Sequence, residues 1–195
     1  MKKKILALMI VIALAISSAF AAPLIQLGPS VSYEKQVWDG ENVVLPGEEL
    51  SFADFGVGAD LRVNLGLMQL AAFADCGMPF GDEIDAITMS GGVSLNTVIS
   101  LAFLDVFAGA GAHVEVVHDL ESKSWVFNGN KFESFGDLMK TCSLFYRGGA
   151  TINIGMLGVS VFADVPTSGT FSSDFSFTPI FEGTKVSASL LLNIG

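Results

Sequence analysis

One strand unit recurs three times along the chain, and each copy closes on a Phe-Ala step. The copies span residues 60–75, 94–109 and 149–164. Side chains alternate in character with period two on either side of each centre, which is typical of strands rather than helices. Each unit is therefore predicted to be two strands joined by a minimal turn. A lone hairpin cannot bury a face, so three of them require a larger closed or stacked sheet.

The turns are predicted at the centres of the three units, at residues 65–66, 99–100 and 154–155. Residues 25–31 and 186–194 show the same alternation and add one strand at each end. One strand, three hairpins and one strand make eight. The sequence therefore predicts an all-β fold, a closed antiparallel up-and-down barrel of eight strands.

The alternation separates two faces of different chemistry. In the second strand of each unit, one face carries only Met, Leu, Val and Ala, whereas the other mixes Gly, Ser, Gln, Ala, Asp and Phe. This distribution fits a barrel with its apolar face outward and a filled polar interior. The residues predicted to face outward include Leu61, Leu70, Leu104, Val159 and Leu190. The charged side chains predicted to lie inside are Asp60, Arg62, Asp105, Arg147, Asp164 and Lys185.

The two arginines fall at similar positions on the first strands of their hairpins. Because an unpaired charge in a narrow interior is costly, at least one of them is expected to contact an Asp across the barrel.

The first 21 residues have the features of a cleaved secretory signal peptide. Lys2, Lys3 and Lys4 precede an apolar run, and Ala19-Phe20-Ala21 forms an A-x-A cleavage site. We therefore expect residues 1–21 to be removed and residues 22–195 to form a single barrel domain. The protein is expected to leave the cytoplasm.

Charge and connection lengths narrow the functional classes. The chain has 20 acidic against 10 basic residues and a net charge of −10, which disfavours a nucleic-acid partner because phosphate binding needs clustered Lys and Arg. The acids concentrate in the long connections, residues 34–52, 77–90, 116–141 and 166–182. Short turns on one side and long loops on the other are typical of outer-membrane barrels, the form in which a β protein can cross a bilayer.

In layout, residues 24–195 resemble the small eight-stranded outer-membrane barrels, a family that includes OmpX-like, OmpA-barrel-like and OmpW-like proteins. The chain departs from this family in its aromatic content, with 2 Trp and 2 Tyr against 16 Phe. The resemblance implies a structural anchor, an adhesion or immune-evasion surface, a narrow apolar-solute pore or, more rarely, a lipid-modifying enzyme.

The loops contain aromatic side chains that are candidates for partner contact. Trp38 precedes Asp39-Gly40, and Trp125 precedes Asn128-Gly129, two dipeptides that suit the tight turn of a hairpin. Phe175 and Phe177 belong to a Phe-rich fourth loop. Either these rings contact a partner, or they pack on neighbouring loops.

Two further groups of residues are candidates for chemistry. His113 lies two residues from Glu115 and could orient a base in a lipid hydrolase, but the chain has no G-x-S-x-G elbow. Metal-binding spacings are also absent from the sequence, so no cofactor is expected. The second group is the pair Cys76 and Cys142. The exported location favours a disulfide between them, and their separation on the predicted barrel disfavours it.

The sequence therefore predicts a non-enzymatic outer-membrane barrel of a diderm bacterium, monomeric, in contact with membrane lipid. Its structural or surface-binding role would be carried by acidic, aromatic-tipped loops facing an extracellular or periplasmic protein. Two alternatives remain: a soluble periplasmic barrel or sandwich that binds an apolar ligand, and a narrow apolar-solute conduit or lipid-modifying enzyme.

Overall fold

The structure of the protein is a computed structural model. It describes residues 23–33, 35, 37–38, 54–77, 86–120, 124–127, 142–170 and 176–195. The predicted signal peptide lies outside these residues. No helix within the described ranges has the length and apolar character needed to cross a membrane.

Nine strands account for most of the described chain. They are β1 (Ile25–Tyr33), β2 (Phe55–Leu65), β3 (Met68–Gly77), β4 (Ala86–Leu101), β5 (Leu104–Asp119), β6 (Ser124–Phe127), β7 (Ser143–Ile154), β8 (Leu157–Thr170) and β9 (Lys185–Ile194). A single turn of 3₁₀ helix, Phe181–Gly183, precedes β9.

Eight of these strands close into an all-antiparallel ring. Around the ring the order is β4, β3, β2, β1, β9, β8, β7 and β5, and the pairing of β4 with β5 completes it. Sequential strands are neighbours around the ring, and the short β6 pairs with the end of β5 outside it. The predicted eight-stranded up-and-down barrel is thus confirmed.

The three short turns lie at one end of the barrel, slightly displaced from their predicted positions. The turn residues are Gly66–Leu67, Ala102–Phe103 and Gly155–Met156. The outer two differ from the prediction by one residue, whereas the central turn lies three residues further along the chain. In the central unit the turn lies two residues closer to the Phe-Ala step than in the other two units. A displacement of two residues leaves every side chain on the same face, so it preserves the alternation. Period-two alternation therefore could not reveal it.

The outer surface of the barrel is apolar. Leu61, Leu70, Val159 and Leu190, predicted to point outward, are 39–51% exposed. Leu104, predicted with them, is only half-buried beside the central turn. The apolar surface continues onto the turns themselves, where Phe103 and Met156 are exposed.

The interior has the opposite composition. Its fully or nearly fully buried side chains are mostly polar, and the buried apolar cluster is limited to Val98, Phe107 and Phe162 among the described residues. Since polar atoms taken out of water must find hydrogen-bond partners, the interior is organised as a series of side-chain networks.

Candidate functional site

A network of side-chain amides crosses the barrel at its turn end. The side chains of Asn96, Gln69, Asn64 and Gln26 are joined in sequence by hydrogen bonds of 3.0, 2.9 and 3.4 Å. The Gln26 amide nitrogen then donates to both Asn153 and Asn193, at 3.1 and 2.9 Å. We call this network the amide floor; its members are Gln26, Asn64, Gln69, Asn96, Asn153 and Asn193.

Asp105 completes the floor on the side of β5. Its carboxylate accepts a 2.6 Å hydrogen bond from the Asn153 amide. With Asp105 included, seven of the eight barrel strands contribute a side chain. The eighth strand, β8, contributes Gly158, where a Cβ would lie 3.0 Å from the Asn153 side-chain oxygen and 3.2 Å from that of Asn193. The missing side chain therefore makes room for the two asparagines.

Above the floor, Arg62 is fully buried together with Asp60. The guanidinium donates to one Asp60 carboxylate oxygen through Nε at 3.0 Å and Nη2 at 2.6 Å. Its Nη1 donates across the bore to the Thr151 hydroxyl at 3.0 Å, and Ser189 donates to the same Asp60 oxygen at 3.0 Å. The charge pair is thus held from several strands, as a buried ion pair requires.

Arg147 forms a second ion pair closer to the loops. Its Nε and Nη2 donate to the two carboxylate oxygens of Asp164, at 2.7 and 2.5 Å. Three phenylalanine rings surround the guanidinium, with centroids 4.3–5.4 Å from its central carbon; they are Phe73, Phe145 and Phe162. Such distances are within the range of cation–π attraction.

These contacts give the recurring Phe-Ala step a physical role. Phe73, Phe107 and Phe162 all point inward, and each contacts an arginine: Phe73 contacts Arg147, Phe107 contacts Arg62, and Phe162 contacts both. The repeat therefore places an aromatic ring at each position where the interior holds a guanidinium.

Two expectations about the arginines were wrong. Arg62 and Arg147 were expected at similar positions on their strands, but Arg62 precedes its turn glycine by four residues and Arg147 precedes its own by eight. An Arg–Asp contact across the barrel was also expected. The partners instead lie on the same strand, for Arg62 and Asp60, or on the neighbouring strand, for Arg147 and Asp164. Because each Asp lies close to its Arg in sequence or in register, neither side chain has to reach across the bore to form the ion pair.

Beyond Arg147, the interior opens into a cavity of about 220 Å³ at the loop end. We call it the mouth cavity. It is lined by the ion pair Arg147–Asp164, by the rings Phe73, Phe145 and Phe162, and by polar side chains that include Ser30, Ser32, Asp75, Ser90, His113, Glu115, Lys185 and Ser187. Lys185 thus lies at the mouth, paired in register with Asp164. His113 and Glu115 both line the cavity, and the His113 ring lies 5.5 Å from Phe145 in an edge-on arrangement.

The aromatic loop residues divide into two groups. Trp38 packs on Phe181, with ring centroids 6.2 Å apart, which joins the first loop to the last. Phe177 is partly exposed and lies beside Tyr146, whose hydroxyl donates to the Phe177 carbonyl at 3.0 Å. The Trp125 side chain and Phe175 lie outside the described residues.

The strand that carries Trp125 pairs with the barrel wall. Ser124–Phe127 pairs back onto β5, so the chain reverses between residues 119 and 124. The reversal expected at Asn128-Gly129 lies outside the described residues.

The two cysteines are not joined by a disulfide in the structure. Cys76 lies in β3 and its thiol donates to the Gly77 carbonyl at 3.5 Å, whereas Cys142 lies just before β7. Burial raises the pKa of the Cys142 thiol. Within the described part of the chain, no group of three or more His, Cys, Asp or Glu side chains is placed to hold a metal ion.

Comparison with solved structures relates this architecture to known proteins. Neisserial surface protein A (NspA) superposes with a TM-score of 0.52 at 10% identity, covering 87% of this chain and 96% of that one. The chain has the fold of the small eight-stranded outer-membrane β-barrels. Ail, the attachment invasion locus protein of Yersinia pestis, also matches, with a TM-score of 0.39 at 15% identity over 86% of this chain and 92% of that one.

Sequence comparison adds no relative. No family model matches the chain, and no curated protein sequence matches it. The likeness is therefore one of fold, and any function must be argued from the chain's own residues.

Proposed function

We propose that this protein is an exported, monomeric outer-membrane barrel with a structural or surface-binding role, carried by its acidic loops and without enzymatic activity. The observation that supports this most is the inverted polarity of the barrel. Large apolar side chains cover the outside, while a network of buried ions and amides fills the inside. Hydrocarbon is the environment in which that arrangement is stable.

The size of the apolar surface argues against the soluble alternative. Exposed Leu, Val, Ile, Met or Phe side chains occur on every strand of the ring, and Val161, Val93 and Leu95 are all more than half exposed. Soluble monomers rarely expose contiguous apolar patches larger than a few hundred Å². A soluble barrel of this sequence would leave its entire outer wall in water.

The amide floor argues against the conduit alternative. Eight strands leave an interior that side chains can fill, and here hydrogen-bonded amides reach across it at the turn end. A solute passing through would have to break these bonds and also pass the buried pair Arg62–Asp60. Phe103 lies in the central turn, at the opposite end of the barrel from the mouth cavity.

The enzyme alternative rests on His113 beside Glu115. A hydrolase of this kind needs a histidine base that points at a nucleophilic side chain. The His113 ring instead packs edge-on against Phe145. We therefore assign these two side chains to the lining of the mouth cavity.

Fractionation with heat-modifiable gel migration tests the proposal. We expect the protein to stay with outer membranes after carbonate washing, and to migrate differently before and after boiling because a closed barrel resists detergent. Recovery in the soluble periplasmic fraction would overturn it. Proteolysis of intact cells tests the loops: cleavage is expected within residues 116–141 or 166–182, with residues 94–109 spared. Loss of residues 94–109 would contradict the assignment.

A further inference from the structure

The mouth cavity has two walls of different charge. On one side Asp75, Ser90 and Glu115 are register neighbours on β3, β4 and β5. On the other side Arg147, Asp164 and Lys185 are register neighbours on β7, β8 and β9. All six side chains line the cavity. We call the first set the acidic wall and the second the basic wall, since it carries two cations and one carboxylate.

The two walls occupy different parts of the ring, although their edge strands β5 and β7 are paired. Their middle strands, β4 and β8, are three steps apart around a ring of eight strands. Fields from the two walls add inside a narrow, partly desolvated space, where charges interact more strongly than in bulk water. The cavity therefore favours a molecule that carries separated positive and negative groups over one that carries a single charge.

Arg147 supplies part of the positive charge for the negative group. The residue is 2% exposed. Its Nε and Nη2 are used by Asp164, whereas Nη1 has no hydrogen-bond partner among the described residues. A buried guanidinium nitrogen without an acceptor is costly. Nη1 has almost no accessible surface and does not face the cavity, so a carboxylate there would be held by the positive charge of Arg147 and by the ammonium group of Lys185.

The apolar part of the cavity and its volume limit the uncharged portion of the ligand. Phe73, Phe145 and Pro166 line it together with the charged walls. Its volume of about 220 Å³ corresponds to roughly seven waters at about 30 Å³ each. That space suits a ligand of around ten heavy atoms with one short apolar group, and it is smaller than the sites that hold drug-sized molecules.

We infer that the mouth cavity binds a small zwitterion with an apolar side chain, of the size and chemistry of a free α-amino acid. The carboxylate lies at Arg147 and Lys185, the ammonium group at Asp75 and Glu115, and the apolar side chain against the phenylalanine rings. This inference goes beyond the proposed surface role. It does not depend on membrane insertion, because the cavity is formed inside the barrel.

Three matched ligands test the inference. L-Leucine carries both charges, 4-methylpentanoate lacks the ammonium group, and 3-methylbutylamine lacks the carboxylate. Each is titrated by ligand-observed NMR into protein folded in detergent micelles, with the fold verified by heat-modifiable migration. We expect saturable binding of L-leucine, at least tenfold tighter than that of either single-charge analogue.

Variants at the two walls supply the second arm. Glu115→Gln should weaken L-leucine about tenfold and leave 4-methylpentanoate unchanged, whereas Lys185→Met should weaken L-leucine and leave 3-methylbutylamine unchanged. Glu182→Gln is the matched control, because Glu182 is exposed near the mouth and does not line the cavity. It should not alter any of the three titrations.

Several outcomes would overturn the inference. One is the absence of saturable L-leucine binding to folded protein. Another is L-leucine binding that neither wall variant changes. Equal affinity for 4-methylpentanoate and L-leucine would also overturn it, since that result indicates an anion site with no role for the acidic wall.

Discussion

Arg62 and Arg147 share one aromatic ring: their guanidinium carbons lie 5.3 and 4.5 Å from the centroid of Phe162. Two like charges held near one ring would repel, but each is paired with its own carboxylate, Asp60 or Asp164. The ring separates two ion pairs that belong to different strands. Phe162 thereby links the middle of the barrel to its mouth.

Phe162→Leu should destabilise the barrel more than its change in volume suggests. The substitution removes a cation–π contact from two arginines and leaves space between two ion pairs, and we expect a loss of about 2–3 kcal/mol. Urea unfolding in phospholipid vesicles measures it. Phe103→Leu, in the exposed central turn, is the matched control and should change stability little. Equal losses for both variants would show that the shared ring has no special role.

Arginine scanning of the outer wall should reveal a dependence on depth. Val161 is exposed part-way along β8, and Ile154 is exposed beside the turn. If the barrel spans a bilayer, Val161→Arg should cost about 2–4 kcal/mol and Ile154→Arg about 0–1 kcal/mol. The same vesicle refolding assay compares them. Similar costs at both positions would argue against a lipid-facing wall.

Ala102 is the non-glycine residue with positive φ among those described, at 57°, whereas Gly66 and Gly155 take the same first position in the other two turns at 70° and 61°. An L-residue is strained in that region, so Ala102→Gly should stabilise the protein by about 0.5–1 kcal/mol. Gly66→Ala is the reverse control, since a Cβ there meets no atom within 4 Å. It should destabilise through backbone strain alone.

Gly158→Ala should weaken the amide floor. The new methyl group would lie 3.0 Å from the side-chain oxygen of Asn153, which must move and lengthen its hydrogen bonds. We expect a loss of about 1–2 kcal/mol in the vesicle unfolding assay. Gly148→Ala is the control, because the nearest atom to its added Cβ, the Phe107 carbonyl oxygen, is 3.9 Å away. If Gly158→Ala left the stability unchanged, the amide floor would have enough space for the added methyl group.

The Cys142 thiol should alkylate slowly near neutral pH. Burial raises the pKa of the thiol, so a smaller fraction of it is thiolate at a given pH. The alkylation rate should therefore still rise with pH in the range where the rate for an unstructured cysteine peptide has become constant. Mass spectrometry of folded protein treated with iodoacetamide follows the reaction. The unreduced, denatured protein should carry two modified cysteines, and an unmodified pair linking Cys76 to Cys142 would contradict the structure.

The faces of the barrel could be predicted from the sequence because they depend on parity alone. Successive side chains in a strand point to opposite faces, so a residue's position in the alternating pattern decides whether it points in or out. That pattern placed Asp60, Arg62 and Arg147 on the polar face without knowledge of strand pairing. Contacts between them could not be predicted in the same way. Which inward side chains share a level depends on the register between strands, and that information is long-range.

The amide floor illustrates what was missed. Gln26, Asn64 and Asn153 were visible as polar-face residues, yet nothing local distinguishes an amide that hydrogen-bonds across a bore from one that faces water. Their grouping follows from where the turns lie, because an amide a few residues from a turn lies at the turn end. The position of the central turn, at Ala102–Phe103, was itself hidden by the preserved alternation.

The amide floor also gives the molecule a direction. With one end of the bore closed by hydrogen-bonded side chains and the other open at the mouth cavity, a solute that enters must leave by the way it came. If the barrel spans a bilayer as proposed, the mouth cavity communicates with one compartment, and the orientation of the inserted barrel decides which compartment that is. Reversing the orientation of the protein in a vesicle would move the opening of the mouth cavity from one side of the membrane to the other without changing any contact within the barrel.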